Sequence, residues 1–91
     1  MPADFREIIE QQQFKEDKRK LRHSAKRLDE ILDGVTWTLT RLPECYPNIP
    51  ETDVYLAKTD AFSDVPALYV WFTFDENYVY LEGIEEAPIP E

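Results

Sequence analysis

The sequence predicts an α+β domain, a small antiparallel β-sheet packed on a two-helix hairpin in the order (β)ααβββ. Three observations predict it. Leu28, Ile31, Leu32, Val35, Leu39 and Leu42 step by 3, 1, 3, 4 and 3, a stripe along one side of a helix. Pro66–Phe74 and Tyr78–Ile84 alternate in character across the short turn Asp75-Glu-Asn77, as a hairpin does. The helical pattern fills the first half of the chain and the strand patterns the second, which segregates helices to one side of a sheet.

Ninety-one residues suit one domain, with helices over about 14–42, a connector over 43–52, a sheet over about 53–84 and a tail over 85–91. The segment 3–13 reads either way: Phe5, Ile8 and Ile9 have helical spacing, while Arg6-Glu-Ile-Ile-Glu-Gln also suits a short edge strand. The first helix carries Phe14 and Leu21 as its two apolar anchors. Ser24 is an N-cap candidate for the second. Within that helix Val35-Thr-Trp-Thr-Leu-Thr40 favours strand and Gly34 weakens a helix, but the stripe decides for helix. Pro43 ends it, because the residue before a proline is pushed out of the α region. Pro43, Pro47 and Pro50 stiffen the connector, Cys45 is a loop thiol, and Trp37 and Tyr46 pad the core. A strand over 53–59 follows, and then the hairpin. Leu68, Val70, Phe72 and Phe74 share one face with Val79 and Leu81. Tyr69, Trp71 and Thr73 share the other with Tyr78, Tyr80 and Glu82. Pairing Phe74 with Val79 keeps both faces consistent, whereas a one-residue slip mixes them.

Composition narrows the function. With 43% apolar and 13% aromatic residues the chain is too hydrophobic for disorder. No apolar run approaches the roughly 20 residues of a membrane span. Met-Pro-Ala-Asp-Phe-Arg-Glu lacks a secretory pattern, and a single cysteine excludes an internal disulfide, so a cytoplasmic location is expected. One histidine and one cysteine cannot build a zinc site, and no metal or cofactor is expected. The net charge of −9 is uneven: residues 1–50 balance, while residues 51–91 set Lys58 alone against ten acidic residues. Lys15, Lys18, Arg19, Lys20, Arg22, Lys26 and Arg27 face only Glu16 and Asp17. This run is either a solvated helix face or a footprint for phosphate or an acidic partner, with Lys18, Arg19, Arg22, Lys26 and Arg27 as the contacts.

Several stretches resemble the RelE/ParE toxin superfamily of bacterial toxin–antitoxin modules. Arg41-Leu-Pro43 resembles the end of that family's helical hairpin. Phe62-Ser-Asp-Val-Pro-Ala-Leu-Tyr-Val-Trp-Phe72 resembles its Tyr/Phe-x-x-x-Pro-x-Leu-Arg-Val-x-Tyr lead into the central strand. Asp75-Glu-Asn-Tyr-Val-Tyr-Leu-Glu-Gly-Ile84 resembles its turn and Val-x-Leu-x-x-Ile last strand. The resemblance covers about Ile8 to Glu86. It implies a toxin neutralised by an antitoxin, with RelE-like members cutting mRNA in the ribosome and ParE-like members acting on gyrase.

Metal-free RNA cleavage needs a base, an acid and cations for the developing phosphate charge. The family meets this with sheet lysines and arginines and a C-terminal tyrosine. Here Lys58 matches a strand lysine, Tyr69 stands at the arginine position, and Glu85 to Glu91 hold neither arginine nor tyrosine. The resemblance therefore implies a degenerate ribonuclease centre and a protein that works by binding. The alternatives are an active ribosome-dependent endoribonuclease using Lys58 and Tyr69, and a small adaptor dimerising through its hairpin. His23, in the basic run, is either solvent-facing or a general acid/base. Lys58 either pairs with a carboxylate or is an active-site remnant. Tyr69, Trp71, Tyr78 and Tyr80 form a face suited to an antitoxin-like protein, a second copy, stacked bases, or packing under the connector. RNA or ribosome contact is disfavoured by the acidic second half.

Overall fold

The computed structural model describes residues 5–21, 25–61 and 65–87. The order is β1 (Glu7–Glu10), α1 (Gln12–Lys20), α2 (Ala25–Arg41), a 3-10 turn (Pro43–Cys45), β2 (Tyr55–Lys58), β3 (Leu68–Phe74) and β4 (Tyr78–Glu86). The four strands form one mixed sheet in the order β1-β4-β3-β2, with β1 parallel to β4 and the other two pairs antiparallel. The architecture is α+β. The stretch that read as strand or helix is both in turn, a four-residue strand and then the start of α1. Strand pairing wins at Glu7–Glu10 because the outer edge of β4 offers partners: Glu7 N–H donates to Asn77 O (3.0 Å) and Gln11 N–H to Leu81 O (3.0 Å). Helix begins one residue later, with Lys15 N–H donating to Gln11 O.

One face of the sheet carries the core. Leu68, Val70, Phe72, Val79, Leu81, Ile84 and Ala57 bury against Leu28, Ile31, Leu32, Val35 and Leu39 of α2 and against Phe14 of α1. The α2 stripe overrides the local strand preference of residues 35–40 because the helical spacing turns Leu28, Ile31, Leu32, Val35 and Leu39 to the sheet. Phe14 is the buried residue of α1 and is fully enclosed, which contributes roughly 1.5–3 kcal/mol to docking an otherwise charged helix. Half-buried Leu21 joins the same core, while Ser24 lies outside the described residues.

Two expected core residues are not core. Trp37 is 62% exposed and Leu42 is 56% exposed. Trp37 sits about 200° around the helix from Val35, since each residue turns the helix by about 100°. Leu42 falls beyond the end of α2, with the backbone out of the helical region (φ −138°, ψ 60°) ahead of Pro43. Their region is organised instead by Arg41, whose guanidinium lies 4.0 Å from the Trp37 ring centre and 4.1 Å from that of Phe5. Tyr46 does pack on the core, edge-on to Phe72 at 5.8 Å.

The hairpin register is the expected one at its tip, Phe74 opposite Val79 and Phe72 opposite Leu81. It then shifts: Trp71 faces Gly83 and Val70 faces Ile84, so β4 carries a bulge at Glu82. The extra residue turns Ile84 inward, where strict alternation would have left it on the opposite face. β4 continues to Glu86, with Glu85 opposite Tyr69 and Glu86 opposite Leu68, so these two residues are strand rather than tail.

Both strand edges are managed. β1 covers β4 only as far as Leu81. Beyond it α1 runs alongside, and the Asp17 carboxylate accepts the Ile84 N–H at 3.3 Å. On the other side, the connector lies along β2: Leu56 N–H donates to Pro47 O, and Asn48 bridges Tyr55. β2 begins at Tyr55 rather than residue 53, because Ile49 and Val54 close a tight turn in which Glu51 takes a positive φ of 65°.

Candidate functional site

Registers assign every strand residue to a face. Opposite the core, the outer face carries Glu7 and Ile9 from β1, and Tyr78, Tyr80, Glu82, Gly83 and Glu85 from β4. It also carries Thr73, Trp71 and Tyr69 from β3, and Leu56 and Lys58 from β2. No described helix packs across this face, since the apolar sides of α1 and α2 both join the core on the other one. Its aromatic residues are partly open to solvent, Tyr78 the most. The connector, one expected cover, stays at the β2 edge.

The aromatic side chains fall into two pairs. Tyr69 and Trp71 meet nearly at right angles (6.1 Å between ring centres, 76°), and Tyr78 and Tyr80 lie 6.0 Å apart. The Trp71 ring lies against Gly83: a Cβ there would stand 3.6 Å from Trp71 Cε3 and 3.1 Å from Asp17 Oδ2. An aromatic laid over a strand glycine restores cross-strand packing that the glycine cannot supply.

Lys58 and Tyr69, the two principal catalytic candidates, are cross-strand partners, and the lysine ammonium lies 5.9 Å from the Tyr69 ring centre. Among the described residues, the remaining charges on the face are Glu7, Glu82 and Glu85. The Thr73 hydroxyl donates to Glu82 Oε2 at 2.9 Å, which fixes that carboxylate beside the aromatic rings. Glu85 is placed directly opposite Tyr69. A phosphate entering here would meet one cation and three carboxylates. Close like-charge pairs cost about 1 kcal/mol each even in water.

At the hairpin tip, Asp75 accepts the backbone N–H groups of Asn77 and Tyr78, both at 2.8 Å, and the Tyr80 hydroxyl at 3.1 Å. The Asn77 and Tyr78 N–H groups hold its carboxyl below the ordinary 3.8, with smaller help from Tyr80 and Arg6. The Tyr80 hydroxyl is raised above its ordinary 10.0, first by burial and then by donating to Asp75. Arg6 clamps the same turn, with Nε donating to Asp75 O at 2.6 Å and the guanidinium over Phe74.

The basic run divides. Lys18 bridges Asp29 (2.6 Å) and Glu10 (3.8 Å) with only 19% of its side chain exposed, which ties α1 to α2 and β1. Arg27 pairs with Glu30 at 3.3 Å. Arg19 and Lys26 are exposed. Arg22 and His23 lie outside the described residues. A cleft of about 550 Å³ between the helices brings Lys15, Lys18 and Arg19 over Leu21 and Leu28, with Glu10 at its side. The structure thus gathers part of the run, but with Lys18 already neutralised.

Among the described residues, no group of three or more His, Cys, Asp or Glu is placed to hold a metal ion, and no helix is long and apolar enough to cross a membrane. Cys45 is exposed in the 3-10 turn.

The sequence reading missed Ile9, Leu56 and Glu85 as members of the outer face. Leu56 and Lys58 share parity within Tyr55–Lys58, which was a usable signal. Ile9 depended on a pairing with Tyr80, far along the chain on the last strand, and Glu85 on the bulge. Comparison with protein-family models, with curated proteins and with solved structures finds no match for this chain.

Proposed function

We propose that this chain works by binding a protein partner through the outer face of its sheet. We place it as a divergent member of the RelE/ParE-type toxin superfamily, in a toxin–antitoxin-like module, with a degenerate ribonuclease centre. The observation that carries the reading is a partly exposed aromatic face, Tyr69, Trp71, Tyr78 and Tyr80, with no described helix across it. Partly exposed aromatic surface of this kind marks protein contact more than catalysis. The family part rests on the apolar patterns of the two hairpin strands and on the two helices that precede them. The degenerate centre rests on Tyr69 at the arginine position, and on Lys58 sharing the face with Glu82 and Glu85 without a second cation among the described residues of the face.

The test is co-expression with the protein encoded beside it. A small neighbouring protein should co-purify, and Trp71→Glu should abolish the complex while far-ultraviolet circular dichroism stays native. Retention of the complex by Trp71→Glu, or absence of any neighbour that binds together with unaffected growth on induction, defeats the reading. One observation favours a second reading, an active mRNA endoribonuclease: Lys58 and Tyr69 share one spot on the sheet. Lys58→Ala would then reduce translation-dependent cleavage by about tenfold or more, since an acid–base or charge-stabilising group contributes at least that much. Unchanged cutting removes Lys58 from any mechanism.

A further inference from the structure

We infer that the segment bound on the outer face is cationic, an arginine- or lysine-bearing stretch of polypeptide; this rests on the protein-binding reading above. Glu7, Glu82 and Glu85 carry the face, with Lys58 the opposing charge among its described residues. Asp17 adds a carboxylate at the rim, reaching the Gly83 position from α1. Charge therefore selects the occupant. A second copy docked by a two-fold axis would set the same net-acidic face against itself, in a chain whose net charge is already −9. Nucleic acid meets the same repulsion.

The aromatic rings supply the other half of a cation site. The Tyr69 ring already carries a cation, the Lys58 ammonium at 5.9 Å from its centre. Tyr69 and Trp71 are neighbours in a near-perpendicular pair, with Glu85 in register opposite Tyr69, so ring faces and a carboxylate lie close together. Glu82 is held toward the same face by Thr73. A guanidinium fits this chemistry well, because it stacks on a ring while its edge donates to a carboxylate.

The probe is a hexapeptide alternating arginine and glycine, compared with its glutamate-for-arginine counterpart, titrated into the full chain and followed by amide and indole NMR shifts. The arginine peptide should shift Tyr69, Trp71 and Glu82 saturably, and the glutamate peptide should not. Glu82→Gln together with Glu85→Gln should weaken binding about tenfold, as loss of facing charges does. Glu51→Gln together with Asp53→Asn, exposed acids off this face, should leave it unchanged. Equal weakening by both variant pairs, or shifts centred on Glu51 and Asp53, overturns the inference. The co-purified neighbour separates the two claims. If Trp71→Glu abolishes that complex while Glu82→Gln with Glu85→Gln leaves it intact, only the charge claim fails. If Trp71→Glu leaves it intact, the underlying reading fails.

Discussion

Replacing Gly83 with alanine sets two effects of known sign against each other, and Asp17 decides which wins. Gly83, although next to the bulge, has no positive φ, so alanine can adopt its backbone. Restricting the unfolded chain then favours the alanine form by about 0.4–1 kcal/mol. Against this, the new methyl would stand 3.1 Å from Asp17 Oδ2, so the carboxylate must retreat. Its bond from the Ile84 N–H is already 3.3 Å long, and a retreat of a few tenths of an ångström breaks it. A hydrogen bond to a charged group contributes about 1.5–3 kcal/mol, and the length of this one puts it near 1.5. Gly83→Ala should therefore destabilise the protein by about 0.5–1 kcal/mol, the difference of those two terms. In an Asp17→Ala background the bond is already gone, and the same substitution should stabilise by about 0.4–1 kcal/mol. Urea unfolding followed by tryptophan fluorescence measures the cycle. With a slope of about 1–1.5 kcal/mol/M, the predicted coupling of about 1.5 kcal/mol corresponds to a midpoint displacement of about 1–1.5 M. A coupling below about 0.5 kcal/mol, the level of independent sites, would refute the claim that α1 closes the edge of β4 through Asp17.

Phe14→Ala should cost about 3–5 kcal/mol in the same assay, because the ring is fully enclosed and is what docks α1. That is a large part of the roughly 5–14 kcal/mol expected for a domain of this size. Trp37→Ser should cost less than about 1 kcal/mol, the value of an exposed stack on Arg41; a loss of 3 kcal/mol would return Trp37 to the core. Asp75 gives a pH signature. Its folded pKa lies below the unfolded value near 3.8, so its contribution is present above that value and lost as pH falls through the lower one. Asp75→Asn should therefore lose less stability than the parent between pH 5 and pH 3 when urea midpoints are compared. The Tyr80 hydroxyl is raised, so its contribution holds below pH 10 and is lost as pH rises through the folded value. Asp75→Ala should move the ultraviolet titration of Tyr80 downward, and an unmoved titration would break their bond.

The fold was legible where a period of 3.6 or 2 ran unbroken. The α2 stripe survived strand-favouring Thr and Val because five of its anchors reach one sheet face. The tip register, Phe74 with Val79, followed from parity and a short turn. What could not be read depended on distant partners. Nothing local in Glu7–Glu10 says that the last strand will offer it an edge, and the same residues fit a helix equally well until that pairing forms. Trp37, hydrophobic but off the stripe, is exposed, so its position on the helix decides against its hydrophobicity.

The site was legible in its aromatic residues and in Glu82, and hidden at Glu85, for one physical reason. Parity alone puts Tyr69, Trp71, Tyr78 and Tyr80 on one face, and it would also put Ile84 there and turn Glu85 inward. The bulge at Glu82 reverses that outcome, burying Ile84 and standing Glu85 opposite Tyr69. Its signal was in the chain: Leu81 and Ile84 are three apart, and a glycine interrupts a strand. An inserted residue that an apolar core requires, since Ile84 outward would leave Val70 without its partner, thus also sets the charge of the opposite face. The carboxylate beside Tyr69 follows from packing on the far side of the sheet, and a variant that regularised β4 without turning Ile84 inward would exchange that charge for an apolar side chain.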